Sequence, residues 1–439
     1  MGFMDRFTDA GSSGGRVLAP GGRRALLGLL RGLHGGRLEL IEDGRALAFG
    51  SAEAPLRARV EVRDPRAYSW TLRGSTGLGE GYVEGLWKVD DLVALARIAC
   101  RNLDPFDRWR RRLQPVIGPL ERALSLVPRN TRTGAARNIS AHYDLGNRLF
   151  ESFLDERLMY SCAYWPSDEA TLSEAQEAKL ERICERLDLG PDDHLLEIGT
   201  GWGGLAIHAA STRGCRVTTT TISAEQYAYA SERVREAGLS DRVELLLSDY
   251  RDLAGTYDKL VSIEMIEAVG WQYFPAFFSK CAALTRPGGA MFLQAIVIRD
   301  DLYEQEKASR SFSNKHIFPG GCLPSLELIA GLANRNGMPV SWSEEISPHY
   351  VRTLAAWRER FNDAWPELRG LGYDGRFKRL WNFYLAFSEG GFAERRIRDV
   401  QVLLAKPGWE RRRSAAAEAQ AVSNSRSGRS SPGHVPVAR

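Results

Sequence analysis

The chain has 439 residues, 44% of them hydrophobic and 26% charged, with a net charge of +4. That length suits two globular domains with tails, and the lack of any apolar run near the ~20 residues of a bilayer span excludes a transmembrane protein. The first twenty residues carry Asp5 and Asp9 and no apolar core, so no secretory signal is expected and the cytoplasm is the expected compartment. Six cysteines stand singly, without the close pairs of zinc or thioredoxin-like sites, so free thiols and no metal are expected.

Residues 1–20 are rich in Gly and Ser and read as disordered. Residues 21–125 mix strand-like runs at 38–41 and 58–62 with a helical run at 90–99, the pattern of a small α+β domain. Tyr82 and Trp87 read as core aromatics. Between residues 101 and 137 nine Arg face three acids, Asp104, Asp107 and Glu121, interleaved with Phe106, Trp109, Leu113, Val116, Ile117 and Leu120. Such a mixture suits either an anionic membrane surface or a basic helix packed on its own protein. No nucleic-acid-binding motif accompanies the charge, so nucleic acid is not an expected partner. Residues 126–137 read as a polar linker, and 407–439 as a basic disordered tail whose segment 411–439 holds six Arg against Glu418.

From 138 to 406 strand-like runs at 194–198, 215–222, 243–247, 259–263 and 290–298 alternate with helical ones. This is the pattern of an α/β, mostly parallel, Rossmann-like sheet. Residues 315–348 and 354–397 read as loops and helices covering its edge. The segment LLEIGTGWGG, 195–204, runs a strand into a glycine-rich turn, where Gly199, Gly201 and Gly203 let the backbone approach a nucleotide-like ligand. The spacing of Gly199, Gly201 and Gly204, with Glu225 beyond, leaves a dinucleotide open. Glu197 argues against it, because a carboxylate there repels a pyrophosphate and attracts the ammonium or sulfonium of S-adenosylmethionine. Thr221, Ser223 and Gln226 are candidates to hold the ribose.

The run HYDLGNRLFESFLDERLMYSCAYW, 142–165, together with LLEIGTGWGG, TISAEQ, DYRDL, the stretch 262–270 and IFPGGCLPS, resembles the cyclopropane-fatty-acyl-phospholipid synthases and mycolic acid cyclopropane synthases. GLGEGYVEGLW, 77–87, looks like the end of that family's N-terminal lipid-associated domain. The resemblance implies a class I S-adenosylmethionine-dependent methyltransferase fold at 138–406 and an N-terminal lipid-associated domain at 21–125. It implies methyl(ene) transfer to the cis double bond of phospholipid acyl chains at a membrane surface, by a protein peripheral to the membrane, and it allows a homodimer. Cofactor contacts carry over to Tyr160, Ser161, Gly199, Gly201, Thr221, Gln226, Tyr250 and Arg251, with Tyr143 a further candidate.

An alkene carries no proton for a general base to remove beforehand. Catalysis then rests on positioning and on stabilising the resulting carbocation, for which aromatic faces are suited. A proton must afterwards leave. The resemblance implies that a bound bicarbonate takes it, with ligands carried over to Cys162, Glu267, Ile296 and Tyr350. A family histidine falls at Gln294, which hydrogen-bonds but takes no proton. Glu264, about one helical turn from Glu267, is placed to share its role. Cys162 reads as a neighbour of the anion, not a nucleophile. Ala268 and Gln294, both replacing histidine, open a second outcome: a hydride shift and a methylene branch instead of a ring. A small-amine N-methyltransferase is a further alternative.

Overall fold

The computed structural model describes residues 19–104, 145–308 and 311–411. Of the segments expected to be disordered, 1–20 and 407–439, residues 1–18 and 412–439 lie outside these residues, whereas Ala19 already opens helix Ala19–Leu30; the linker 126–137, Tyr143 and the basic segment beyond residue 104 also lie outside.

The N-terminal part is built on a four-stranded sheet of order β2-β1-β3-β4, from β1 (Arg37–Glu42), β2 (Arg45–Gly50), β3 (Arg57–Val62) and β4 (Trp87–Val89). Strand β1 alternates buried Leu38 and Leu40 with outward Arg37 and Glu39, so one face meets the core. Strands β2 and β4 were not anticipated: RALAFG is mostly exposed and mixes Ala and Gly with its apolar residues, and β4 has only three residues. Trp87 is buried and tilts against half-buried Tyr82 at 5.0 Å, as expected of core aromatics.

The second sheet has seven strands in the order β10-β11-β9-β8-β5-β6-β7. Strands β5 (His194–Ile198), β6 (Arg216–Thr221), β7 (Val243–Leu247), β8 (Tyr257–Ile263) and β9 (Thr285–Ile298) are mutually parallel. Strand β11 (Ile397–Ala405) runs antiparallel between β9 and β10 (Val340–Glu345). The chain order reverses between β5 and β8, so a crevice opens beyond their carboxyl ends. This is a class I methyltransferase fold. Reading 315–348 and 354–397 as loops and helices missed β10, which lies within the first stretch, and β11, which begins at the end of the second. Strand β10, VSWSEE, alternates for only four residues before two acids, and β11 opens on Ile-Arg-Asp, so neither carries the strand pattern over its whole length.

The two sheets are joined through the long helix Gly375–Ala393, on which helix Leu92–Arg101 packs. The helices meet at Gly390, where an added Cβ would lie 2.7 Å from Ala96 Cβ and 3.1 Å from the Arg97 nitrogen. One residue past the helix, Glu394 accepts from Arg97 and Arg101, each at 2.7 Å. Because backbone lies behind the contact, Gly390→Leu should overpack it and destabilise the protein by about 1–3 kcal/mol, read as a lower urea midpoint. An unchanged midpoint would mean that the helices separate freely.

Candidate active site

A cavity of about 690 Å³ occupies the crevice. Its wall runs from the glycine loop at 199–202, past the ends of β6 and β8, to residues 73–76 of the N-terminal part and to Ser388, Phe392 and Arg396. Residues 318, 319 and 321–323 line it as well, tied down by the bond from Cys322 N to Glu267 O at 2.9 Å.

At the β5 end, Gly199, Gly201 and Gly203 all have positive φ, 106°, 53° and 84°. Only glycine adopts this run of left-handed backbone cheaply. Gly203 does not line the cavity; it sits at the N-terminus of helix Gly204–Arg213 and shapes the turn. Glu197 is 4% exposed and accepts from Thr219 Oγ1 at 2.6 Å. Burial pushes its carboxyl up to about 8.

Thr221 and Gln226 line the cavity and are hydrogen-bonded to each other at 3.0 Å. Ser223 does not join them. Its Oγ caps helix Ala224–Glu236 by accepting from Gln226 N, so the expected ribose contact is a helix cap instead. Tyr250 presents its ring beside Phe277, centroids 5.4 Å apart, and Arg251 is paired with Asp249, the Nε–Oδ1 distance being 2.8 Å. Tyr160 and Ser161 also line the cavity. The Ser161 hydroxyl accepts at 2.7 Å from Lys179 Nζ, a fully buried lysine that the sequence did not single out.

The other polar end is a group of carboxyls. Glu264 follows β8 directly and has φ 45°, left-handed for a side-chain-bearing residue. Its Oε1 accepts from Cys162 N and from Gln294 Nε2, both at 2.7 Å, and its Oε2 from Tyr350 OH at 2.6 Å. Glu267 Oε1 accepts from Ile296 N at 2.5 Å, whereas its Oε2 is buried with no hydrogen-bond partner. Burial, with Glu264 close by, lifts Glu267 to about 8. Asp399, on β11, is fully buried, receives Gln294 Nε2 at 3.2 Å, and is pushed far above the usual carboxylate range by burial and by Glu264. Asp399 was not anticipated, since nothing in IRDVQVLLA marks it.

Cys162 is wholly buried and does not line the cavity. Burial and the acids Asp399 and Glu264 raise its thiol far above the ordinary value, so it is no nucleophile. Its contribution is the backbone N–H.

A family model described as mycolic acid cyclopropane synthetase matches residues 130–402. The chain belongs to this family. It is 38% identical over 367 residues to tuberculostearic acid methyltransferase UfaA1 of Mycobacterium tuberculosis, covering 80% of this chain and 84% of that one. It is 38% identical over 369 residues to the cyclopropane-fatty-acyl-phospholipid synthase of Escherichia coli K12, covering 83% and 90%. Among solved structures, mycolic acid cyclopropane synthase CmaA1 complexed with SAH and CTAB superposes with a TM-score of 0.58 at 29% identity, over 62% of this chain and 98% of that one. The protein is therefore an S-adenosylmethionine-dependent methyltransferase of the cyclopropane synthase family.

The glycine loop, the buried Glu197 and the polar groups of Thr221, Gln226, Asp249 and Arg251 fit S-adenosylmethionine, which supplies an electrophilic methyl when bound. The bicarbonate that the resemblance implied fits poorly. Cys162 N, Gln294 Nε2 and Tyr350 OH all end on Glu264, and Ile296 N ends on Glu267. The donors of this family anion site already hold carboxyl groups of the chain itself, and two half-buried acids, Glu264 and Glu267, line the cavity where a further anion would have to sit, with buried Asp399 behind them.

Glu197 gives a proton signature. Below about pH 8 its buried carboxyl is largely protonated, and a cationic ligand beside it favours the ionised form. Binding of S-adenosylmethionine at pH 7 should release up to one proton, seen by calorimetry as a binding enthalpy that varies with buffer ionisation heat. The release should fade above about pH 9 and vanish in Glu197→Gln; a buffer-independent enthalpy at pH 7 would rule it out.

Proposed function

We propose that the protein transfers the methyl of S-adenosylmethionine to the cis double bond of an unsaturated acyl chain carried by a phospholipid. The observation that carries this reading is the single cavity joining the cofactor loop to an aromatic wall and onward to the N-terminal part. Tyr160, Phe318, Tyr350, Tyr384 and Phe392 line it, with Tyr350 and Phe392 stacked at 4.4 Å. An apolar chain fits such a channel, and aromatic faces stabilise the carbocation left when the alkene π pair bonds to the methyl.

The reaction ends when the transferred methyl loses a proton. If its C–H pair closes onto the cationic carbon the product is a cyclopropane, the product for which the Escherichia coli relative is named. If a hydride first shifts between the two former alkene carbons, loss of the same proton leaves a methylene branch. Ala268 and Gln294, both standing where the family has histidine, keep this second product open. An amine-methylating role is less well supported, since the cavity offers a small amine no matching enclosure. The substrate lies in a bilayer, so we place the protein on the cytoplasmic membrane face, with the basic segment 101–137 as the contact.

The test is incubation with S-adenosylmethionine and vesicles of an anionic oleoyl phospholipid, followed by mass spectrometry and proton NMR of the released acids. A gain of one CH2 is expected, with upfield cyclopropyl protons for the ring or vinylidene protons for the branch. No mass gain on any unsaturated lipid would sink the proposal. Activity on vesicles should fall as salt rises, with cofactor affinity unchanged; salt-independent activity would remove the electrostatic contact.

A further inference from the structure

The chain carries its own anion at the place where the family resemblance puts bicarbonate. We infer that the Glu264 carboxylate is the base that removes the last proton, and that the enzyme works without bicarbonate. This rests on the methyl-transfer reading above.

The geometry is specific. Three donors from distant parts of the chain converge on one carboxyl group, from Cys162, Gln294 and Tyr350. Glu264 also lines the cavity, so the group is within reach of a bound chain. Its N–H is fixed to Gln294 O at 2.8 Å, which helps hold the costly φ of 45°.

The direction of every amide is determined. The Arg182 guanidinium can only donate, and its Nε lies 2.9 Å from Gln401 Oε1. The Gln401 NH2 therefore faces Gln294 Oε1 at 3.0 Å, and the Gln294 NH2 faces Glu264 at 2.7 Å. A cation thus polarises a chain of two amides that ends on the carboxylate. Lys179 is a second nearby cation, while Asp399 and Glu267 are the facing acids. Burial raises the proton affinity of Glu264 and its three donors hold it back, so the carboxylate remains a usable base.

Oε1 meets two obligate donors, which leaves Oε2 for the incoming proton. Tyr350 OH, its partner there, can donate or accept, and turns to accept when Oε2 is protonated. In the step itself a C–H bond of the transferred methyl breaks. Its electron pair forms the ring bond or the exocyclic double bond, and the proton goes to Oε2. The cation is discharged and no co-reactant is consumed.

Glycine adopts a positive φ without strain, so Glu264→Gly should fold while vacating the carboxylate's place. In carbonate-free buffer the wild type should be fully active and indifferent to added bicarbonate. Glu264→Gly and Glu264→Gln should each lose about 10²–10⁴-fold in kcat, the usual worth of a general base. Bicarbonate should restore much of the loss to the glycine variant and none to the glutamine variant. Binding of ¹³C-bicarbonate to the SAH complex, followed by NMR, gives a readout independent of turnover: a bound signal is expected only for Glu264→Gly. A wild type that needs or binds bicarbonate, or a fully active Glu264→Gln, would overturn the inference. A wild type that methylates no lipid would overturn the methyl-transfer reading instead, and the binding measurement would still decide what occupies the anion site.

Discussion

Ionised groups taken out of water cost several kcal/mol each unless donors and counter-charges replace the lost hydration. Around the end of β8 this chain gathers half-buried Glu264 and Glu267 with fully buried Asp399 and Lys179, and the architecture there is arranged to meet that cost. Burial drives all three carboxyls toward the neutral form, but their surroundings differ. Glu264 receives three donors, Glu267 one backbone N–H, and Asp399 a long bond from the Gln294 amide. Unequal donor supply lets neighbouring acids respond differently to the same burial.

Meeting those demands draws on most of the fold. The parallel strands deliver Glu197 and Glu264 to either side of the topological switch point. Strand β9 supplies Gln294 and the Ile296 N–H, and antiparallel β11 places Gln401 opposite Gln294 in register. Tyr350 comes from helix Ser347–Asp363, and Lys179 and Arg182 from helix Leu172–Arg186, whose start is fixed by a capping box of Thr171 and Glu174. The Arg182 guanidinium is itself held between the rings of Tyr164 and Trp342, at 4.5 and 5.2 Å.

The N-terminal part adds length to the cavity. Residues 73–76 reach its wall, and Glu80 accepts from His316 Nε2 at 2.9 Å and pairs with Lys315. The helix carrying Glu80 packs at Gly79 against Phe312 and Phe383, tying it to the segment that precedes the 317–325 loop. An acyl chain needs such a channel, whereas a small amine would not, and it is assembled from pieces far apart in sequence. Among the described residues no helix is long and apolar enough to cross a membrane.

Much of this could be read in the sequence because it is local. The alternation of strand and helix, the glycine turn after β5 and the carboxylate two residues before it all lie within short windows, and the fold class follows from them. Cys162, Glu267, Gln294, Ile296 and Tyr350 were also legible through family motifs, though only as a set of positions, and Glu264 through its spacing to Glu267. The polar edge strand β10, the short strands β2 and β4 and the capping role of Ser223 escaped because their residue patterns fit other assignments equally well. What the tertiary structure alone decided is which group each donor meets. Lys179, Asp399, Gln401 and Arg182 look like ordinary helix and strand residues. Their importance appears only once packing brings Gln294 between Gln401 and Glu264, because hydrogen-bond direction depends on neighbours in space that no sequence window contains.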